Sequence, residues 1–180
     1  MKNTIYAIIA IFTLFLGACS PSLSPFNQRL VDQNRWEEED LKEIQFYLSK
    51  DIVLYKNYTN ATSKIESGEI KMVDGRKIEE IKIPKGTPGV ALFQPKNNRL
   101  AVSFENKGTD RFLIFGPNPK RGNKYVLLAS EWKNKRGKVK YDDQTYYTNV
   151  ESSYATLMVD LKESKKIKVK SGAAKGRKIN

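Results

Sequence analysis

Ser130-Glu131-Trp132-Lys133 sets a serine three residues ahead of a lysine. At that spacing a lysine one helical turn on can take the serine's proton and make its hydroxyl a nucleophile. The chemistry needs the serine at a helix start, and Tyr125 to Ala129, just before it, is an unbroken apolar run that reads as a strand. Asp142 and Asp143, with Glu151 further on, are the late carboxylates close enough in sequence to consider for acid–base work. Adjacent strand residues point to opposite faces, so a turn accounts for the pair better. Gly172-Ala173-Ala174-Lys175-Gly176-Arg177-Lys178 lacks the GxxxxGK[ST] order in which backbone amides cradle a phosphate. The 180 residues include no histidine, which removes Ser-His-Asp and Cys-His triads and the commonest zinc ligand. A single cysteine leaves no internal disulfide, CxxC redox pair or iron–sulfur site. The sequence therefore predicts no catalytic residues, no metal and no cofactor: a protein that is not an enzyme.

Charge is the strong feature that remains. Lys and Arg number 32 against 20 Asp and Glu, a net charge of +12. Lys120 to Lys140 holds eight basic residues and one acid, and Lys162 to Lys178 holds eight against Glu163. These two stretches exceed the charge of the whole chain, so the rest is slightly acidic. Such asymmetry can mark an anion-binding surface. The candidates are Lys133, Lys135, Arg136, Lys138 and Lys140, joined by Lys166, Lys168 and Lys170 if their strands are neighbours. The alternative is an edge strand in which Lys166, Lys168 and Lys170, alternating with Ile167 and Val169, discourage edge-to-edge pairing. Tyr141, Tyr146, Tyr147 and Tyr154 could likewise line a carbohydrate or peptide face, or pack in the core and across strands.

These residues have to be positioned by short elements. A helix is predicted from Arg35 to Ser49, capped by Asn34 with Glu37 as reciprocal partner. Its acids Glu37 to Asp40 suit the helix start, and Leu41, Ile44 and Leu48 share one face. A shorter helix is predicted near Pro25 to Val31. After Lys50 the apolar period changes to two. Strands are expected around Ile52–Asn57, on either side of Asp74-Gly75, at Arg99–Glu105 with one wet face, and at Phe112–Phe115 in the middle of a sheet. Further strands are expected at 124–129, 137–142, 145–150, 154–161 and 165–170. Strands at this spacing, joined by Gly- and Pro-bearing turns, imply a mainly β fold: an antiparallel sandwich or a small, partly open barrel, with one N-terminal amphipathic helix.

The N-terminus reads as an address. Lys2 precedes an apolar run from Ile5 to Leu16 that is long enough for a secretory h-region and too short for a membrane span. The ending Leu16-Gly17-Ala18-Cys19 resembles the lipobox of bacterial lipoproteins. That resemblance implies that Cys19 is the lipid-attachment residue and the first residue of the mature protein. Two or three acyl chains then hold the protein at a membrane with no spanning helix. Ser20 after the cysteine, in place of the aspartate that favours inner-membrane retention in such lipoproteins, implies the outer membrane. The sequence Ser20-Pro21-Ser22-Leu23-Ser24-Pro25 has no early acid, which implies a periplasm-facing position. The expected organisation is a signal peptide over 1–18, a lipidated tether over 19–25, a helical segment over 26–50, a β domain over 51–170 and a basic tail over 171–180. The body is similar in composition to small envelope lipoproteins of the Bacteroidota, whose members include accessory subunits of trans-envelope secretion machines. The expected function is a binding or scaffold subunit of an envelope complex with a protein partner. The alternative is a module that binds an anionic envelope polymer or lipid, such as peptidoglycan, through its basic surface. Nucleic acid is not an expected partner outside the cytoplasm.

Overall fold

The computed structural model describes residues 22–57, 68–73, 76–96, 98–106 and 111–166. They form a mainly β fold of two antiparallel sheets packed face to face. In spatial order, the seven-stranded sheet comprises β1 (Leu23–Pro25), β13 (Leu157–Asp160), β2 (Gln45–Leu48), β6 (Pro88–Phe93), β7 (Leu100–Ser103), β8 (Leu113–Asn118) and β9 (Lys124–Leu127). The six-stranded sheet comprises β10 (Glu131–Lys133), β11 (Arg136–Tyr141), β12 (Gln144–Asn149), β3 (Ile52–Asn57), β5 (Arg76–Ile83) and β4 (Glu69–Val73). Three short helices accompany them among the described residues: α1 (Gln28–Asn34), α2 (Glu38–Lys42) and α3 (Leu161–Lys166).

The larger sheet curls strongly. Tyr125 in β9 donates its backbone N–H to Phe26 at 3.0 Å, and Leu127 donates to Ala155 at 3.3 Å, so β9 reaches back to residues flanking β1 and β13. These contacts are isolated bridges, Asn27 with Lys124 and Val126 with Thr156, and not a continuous ladder. The sheet approaches a barrel without closing. One apolar cluster lies between the two sheets, with Phe46, Leu48, Leu100, Phe115 and Leu157 facing Ile52, Leu54, Ile81, Val139 and Tyr146. Period-two alternation makes this possible. In β11 Gly137, Val139 and Tyr141 turn inward and Arg136, Lys138 and Lys140 turn to solvent.

The expected strands at 124–129, 137–142, 145–150 and 154–161 appear within a few residues as β9, β11, β12 and β13. β4 and β5 form the hairpin expected around Asp74-Gly75, with Val73 opposite Arg76; the two turn residues lie outside the described residues. β7 departs from its expected wet face, because Ala101 and Ser103 are as buried as Leu100 and Val102. Those short side chains sit between two flanking strands, so little of them reaches water.

The helix expected over Arg35–Ser49 does not form as one unit. Arg35 takes a left-handed conformation with φ 51° and ends α1, and Trp36 donates its N–H back to Val31 at 3.1 Å. Asn34 is inside α1 and donates through Nδ2 to the Leu30 carbonyl, so it caps nothing. The acids instead start the five-residue α2, where the Glu37 N–H donates to Asp40 Oδ2 at 3.0 Å. Beyond it, Gln45–Leu48 is a strand between β13 and β6. Phe46 explains the outcome. A strand buries Phe46 and Leu48 together, whereas a helix would place residues two apart on different faces. Leu41, Ile44 and Leu48 are all buried, as their spacing suggested, but on three different pieces of backbone.

Two more expectations change. The tether expected to run to Pro25 is shorter, since Leu23–Pro25 pairs with β13 as an edge strand. The strand expected over 165–170 is replaced, at Lys165 and Lys166, by α3. Asp160 Oδ1 accepts the N–H of Lys162 at 2.8 Å at the start of this helix, and residues 167–170 of the expected strand lie outside the described residues.

Candidate anion-binding site

The outer face of the six-stranded sheet gathers one part of the basic charge. Backbone register places Glu131, Lys138, Tyr147, Tyr55, Glu80 and Glu69 in a single row across all its strands. Arg136 lies one step along β11, opposite Asn149. Its guanidinium lies 5.3 Å from the Tyr55 ring centroid and 5.8 Å from that of Tyr147, and its Nε–H donates to the Tyr55 hydroxyl at 2.9 Å. The two tyrosine rings are cross-strand partners with centroids 6.4 Å apart. Around them Glu131, Lys133, Asn134 and Lys138 complete an open depression of about 400 Å³.

The groups that line this depression are of a kind that can recognise an anion. With Nε committed to Tyr55, an incoming carboxylate or phosphate meets the two terminal nitrogens of the guanidinium, whose fork matches two acceptor oxygens. Cation–π contact fixes the guanidinium plane and reduces the entropy lost on binding. Lys133 and Lys138 add field at close range, and Glu131, opposite Lys138, offers an acceptor to a hydroxyl or amine on the same ligand.

The hairpin that carries the site is built locally. Asn134 and Lys135 make a two-residue turn with φ 49° and 63°, the geometry that matches strand twist. Trp132 lies across Gly137, where a Cβ would come within 2.8 Å of the indole, so only glycine allows this approach.

The sequence candidates divide as follows. Lys133, Arg136 and Lys138 line the depression, while Lys135 occupies the hairpin turn and Lys140 pairs with Asp143 at 2.8 Å. Lys166 sits in α3, next to the other sheet's β13, and pairs with Glu163 at 2.6 Å. Among the described residues, Lys166 is therefore on a helix and not on a strand beside β11. Lys168, Lys170 and Cys19 lie outside the described residues. Of the four tyrosines, Tyr141 and Tyr146 are core while Tyr147 and Tyr154 are exposed by 40% and 38%. The Ser130 hydroxyl donates to the Lys138 carbonyl at 3.0 Å, and Glu131–Lys133 is a strand, so the Ser–Lys spacing brings no nucleophile together. Asp142 and Asp143 form the β11–β12 turn, with φ 52° and 54°. Tyr55 is the residue that sequence reading missed. Its only signal was an aromatic on the wet phase of an alternating strand.

A second polar cluster lies inside. Glu79, 1% exposed, receives the Tyr146 hydroxyl at 2.8 Å and stands 3.0 Å from Lys56, which also donates to Gln144. Nearby, the Tyr141 hydroxyl donates to Glu105, Glu105 pairs with Arg111 at 2.8 Å, and Arg111 lies 3.2 Å from Asp142. Burial, then the carboxylate each one donates to, pushes the Tyr141 and Tyr146 phenols well above their ordinary value. They act as neutral donors at ordinary pH. Each carboxylate is met by a phenol and a cation, and Glu79 Oε2 is met by the Lys56 charge alone. Among the described residues no three His, Cys, Asp or Glu side chains are placed to hold a metal ion, and no helix is long and apolar enough to cross a membrane.

Comparison of the chain with protein-family models, curated proteins and solved structures returned no match.

Proposed function

We propose that the protein is a non-catalytic, lipid-anchored module of the bacterial envelope that binds an anionic envelope polymer through the outer face of its six-stranded sheet. The observation that carries this reading is Arg136 laid over Tyr55 and Tyr147 at the centre of a depression flanked by Lys133 and Lys138. A solvating edge does not need an arginine held within cation–π range of two tyrosines drawn from strands far apart in sequence. The address rests on Leu16-Gly17-Ala18-Cys19 following the apolar run. Acylation at Cys19 would hold the module at the outer membrane, facing the periplasm and within reach of peptidoglycan.

Two experiments test the reading. Purified sacculi should sediment the wild-type domain and release it as salt is raised, while Arg136→Gln, with an unchanged melting temperature, should stay in solution. Retention of that variant, or binding to phosphatidylglycerol vesicles in place of sacculi, would contradict the polymer assignment. Labelled palmitate should enter the wild type and not Cys19→Ser.

A further inference from the structure

Tyr154, at the end of the 3-10 turn Ser152–Tyr154, repeats the composition of the first site. Its exposed ring has the Arg121 guanidinium 4.1 Å from the centroid and Lys50 Nζ at 5.8 Å. These cations come from separate parts of the chain: Lys50 precedes β3, and Arg121 ends the 3-10 turn Pro119–Arg121 after β8. Two cations held at one ring concentrate positive charge there, and no carboxylate is paired with either of them in an ion pair among the described residues.

The turn is held in place. The Ser152 hydroxyl donates to Asn149 Oδ1 at 3.1 Å and accepts the Val53 N–H at 3.1 Å. Ser49 and Thr156 exchange hydrogen bonds at 3.0 and 2.8 Å on its other side. Asn149 links the two sites, because its side chain holds Ser152 and its backbone lies opposite Arg136. β3 runs antiparallel to β12, so Lys50 lies toward the same end of the sheet as Arg136. Arg136 is level in the register with Val53, three residues after Lys50 and two strands away, a separation of roughly 10 Å along the strands and about 10 Å across them. That span exceeds the screening length of about 8 Å at physiological salt. One small anion therefore feels one site, and only a chain can join them.

We propose that Lys50, Arg121 and Tyr154 form a second subsite for the same ligand, so that the protein binds a linear acidic glycan carrying repeated carboxylates or phosphates and not a single anionic headgroup. This inference rests on the polymer-binding reading of the Arg136 site. A ligand that occupies one site holds its next charges near the other, and the second contact becomes intramolecular.

The test compares short and long ligands of each charge type: a dimer and a decamer of galacturonic acid, and pyrophosphate with polyphosphate. Binding is read by calorimetry on the whole domain. Lys50→Gln/Arg121→Gln, which leaves the Tyr154 ring in place, should weaken the long ligand about tenfold and leave the short one unchanged. Arg136→Gln should weaken both. If the double variant binds the long ligand like wild type, the second subsite is wrong and the Arg136 site stands. If Arg136→Gln changes neither, or if neither ligand pair binds the wild type, the polymer reading itself fails.

Discussion

Glu79 shows what one buried charge requires of its neighbours. Removing a partner from such a pair leaves an uncompensated charge, a loss of about 3–5 kcal/mol. Lys56→Met should therefore lower stability strongly in a denaturant titration. Lys56→Met/Glu79→Leu/Tyr146→Phe, which removes the buried carboxylate together with the ammonium and the phenol that meet it, should recover most of it. An unchanged midpoint for Lys56→Met would mean that the cluster does not support the fold. Arg136 differs from Lys56 in this respect, because its guanidinium is exposed and its contacts are with outer-face rings. Its replacement by Gln should weaken ligand binding without a comparable loss of stability, and that separation identifies it as a binding residue.

At the scale of elements, the hairpins of the six-stranded sheet carry the site and set its strain. Both turns around β11 hold two non-glycine residues at positive φ. Asparagine tolerates this at position 134, but lysine at 135 occupies a conformation that costs roughly 1–2 kcal/mol without glycine. Lys135→Gly should raise the melting temperature by about 2–4 °C and leave binding nearly intact, since Lys135 does not line the depression. A lower melting temperature would contradict the turn geometry. The strands themselves were legible, because period-two alternation with turn residues between runs has one physical reading. The segment after Arg35 was not. Leu41, Ile44 and Leu48 fit one helix face as well as they fit a helix, a turn and a strand, and Phe46, two residues before Leu48, was the discriminating residue. The hairpin lysines were legible as a run of charge. Their tyrosine platform was not, because pairing of β3 with β12 depends on long-range packing that no local pattern encodes.

For the molecule as a whole, the core sets a limit on the alkaline side. Burial pushes the Tyr125 phenol up to about 12, and Tyr141 and Tyr146 are also raised, by burial and then by their carboxylate partners. In the unfolded chain all three ionise near 10. Their contribution to stability is complete below pH 10 and is lost as pH rises from there through the folded values. Part of the tyrosinate absorbance should therefore appear only together with loss of the β-sheet circular dichroism. Full ionisation near pH 10 with the sheets intact would contradict the packing. The charge of the chain follows a comparable division, with Lys133, Arg136 and Lys138 of one basic stretch lining the depression on the six-stranded sheet and Lys166 of the other carried on a helix beside β13. Binding of an acidic glycan at the depression is tested by amide chemical shifts recorded during titration of the labelled domain with oligogalacturonate. The shifts should concentrate on Tyr55, Arg136, Lys138 and Tyr147, be suppressed by salt, and leave α3 unperturbed. Shifts centred on α3, or none on the outer face of the six-stranded sheet, would contradict it.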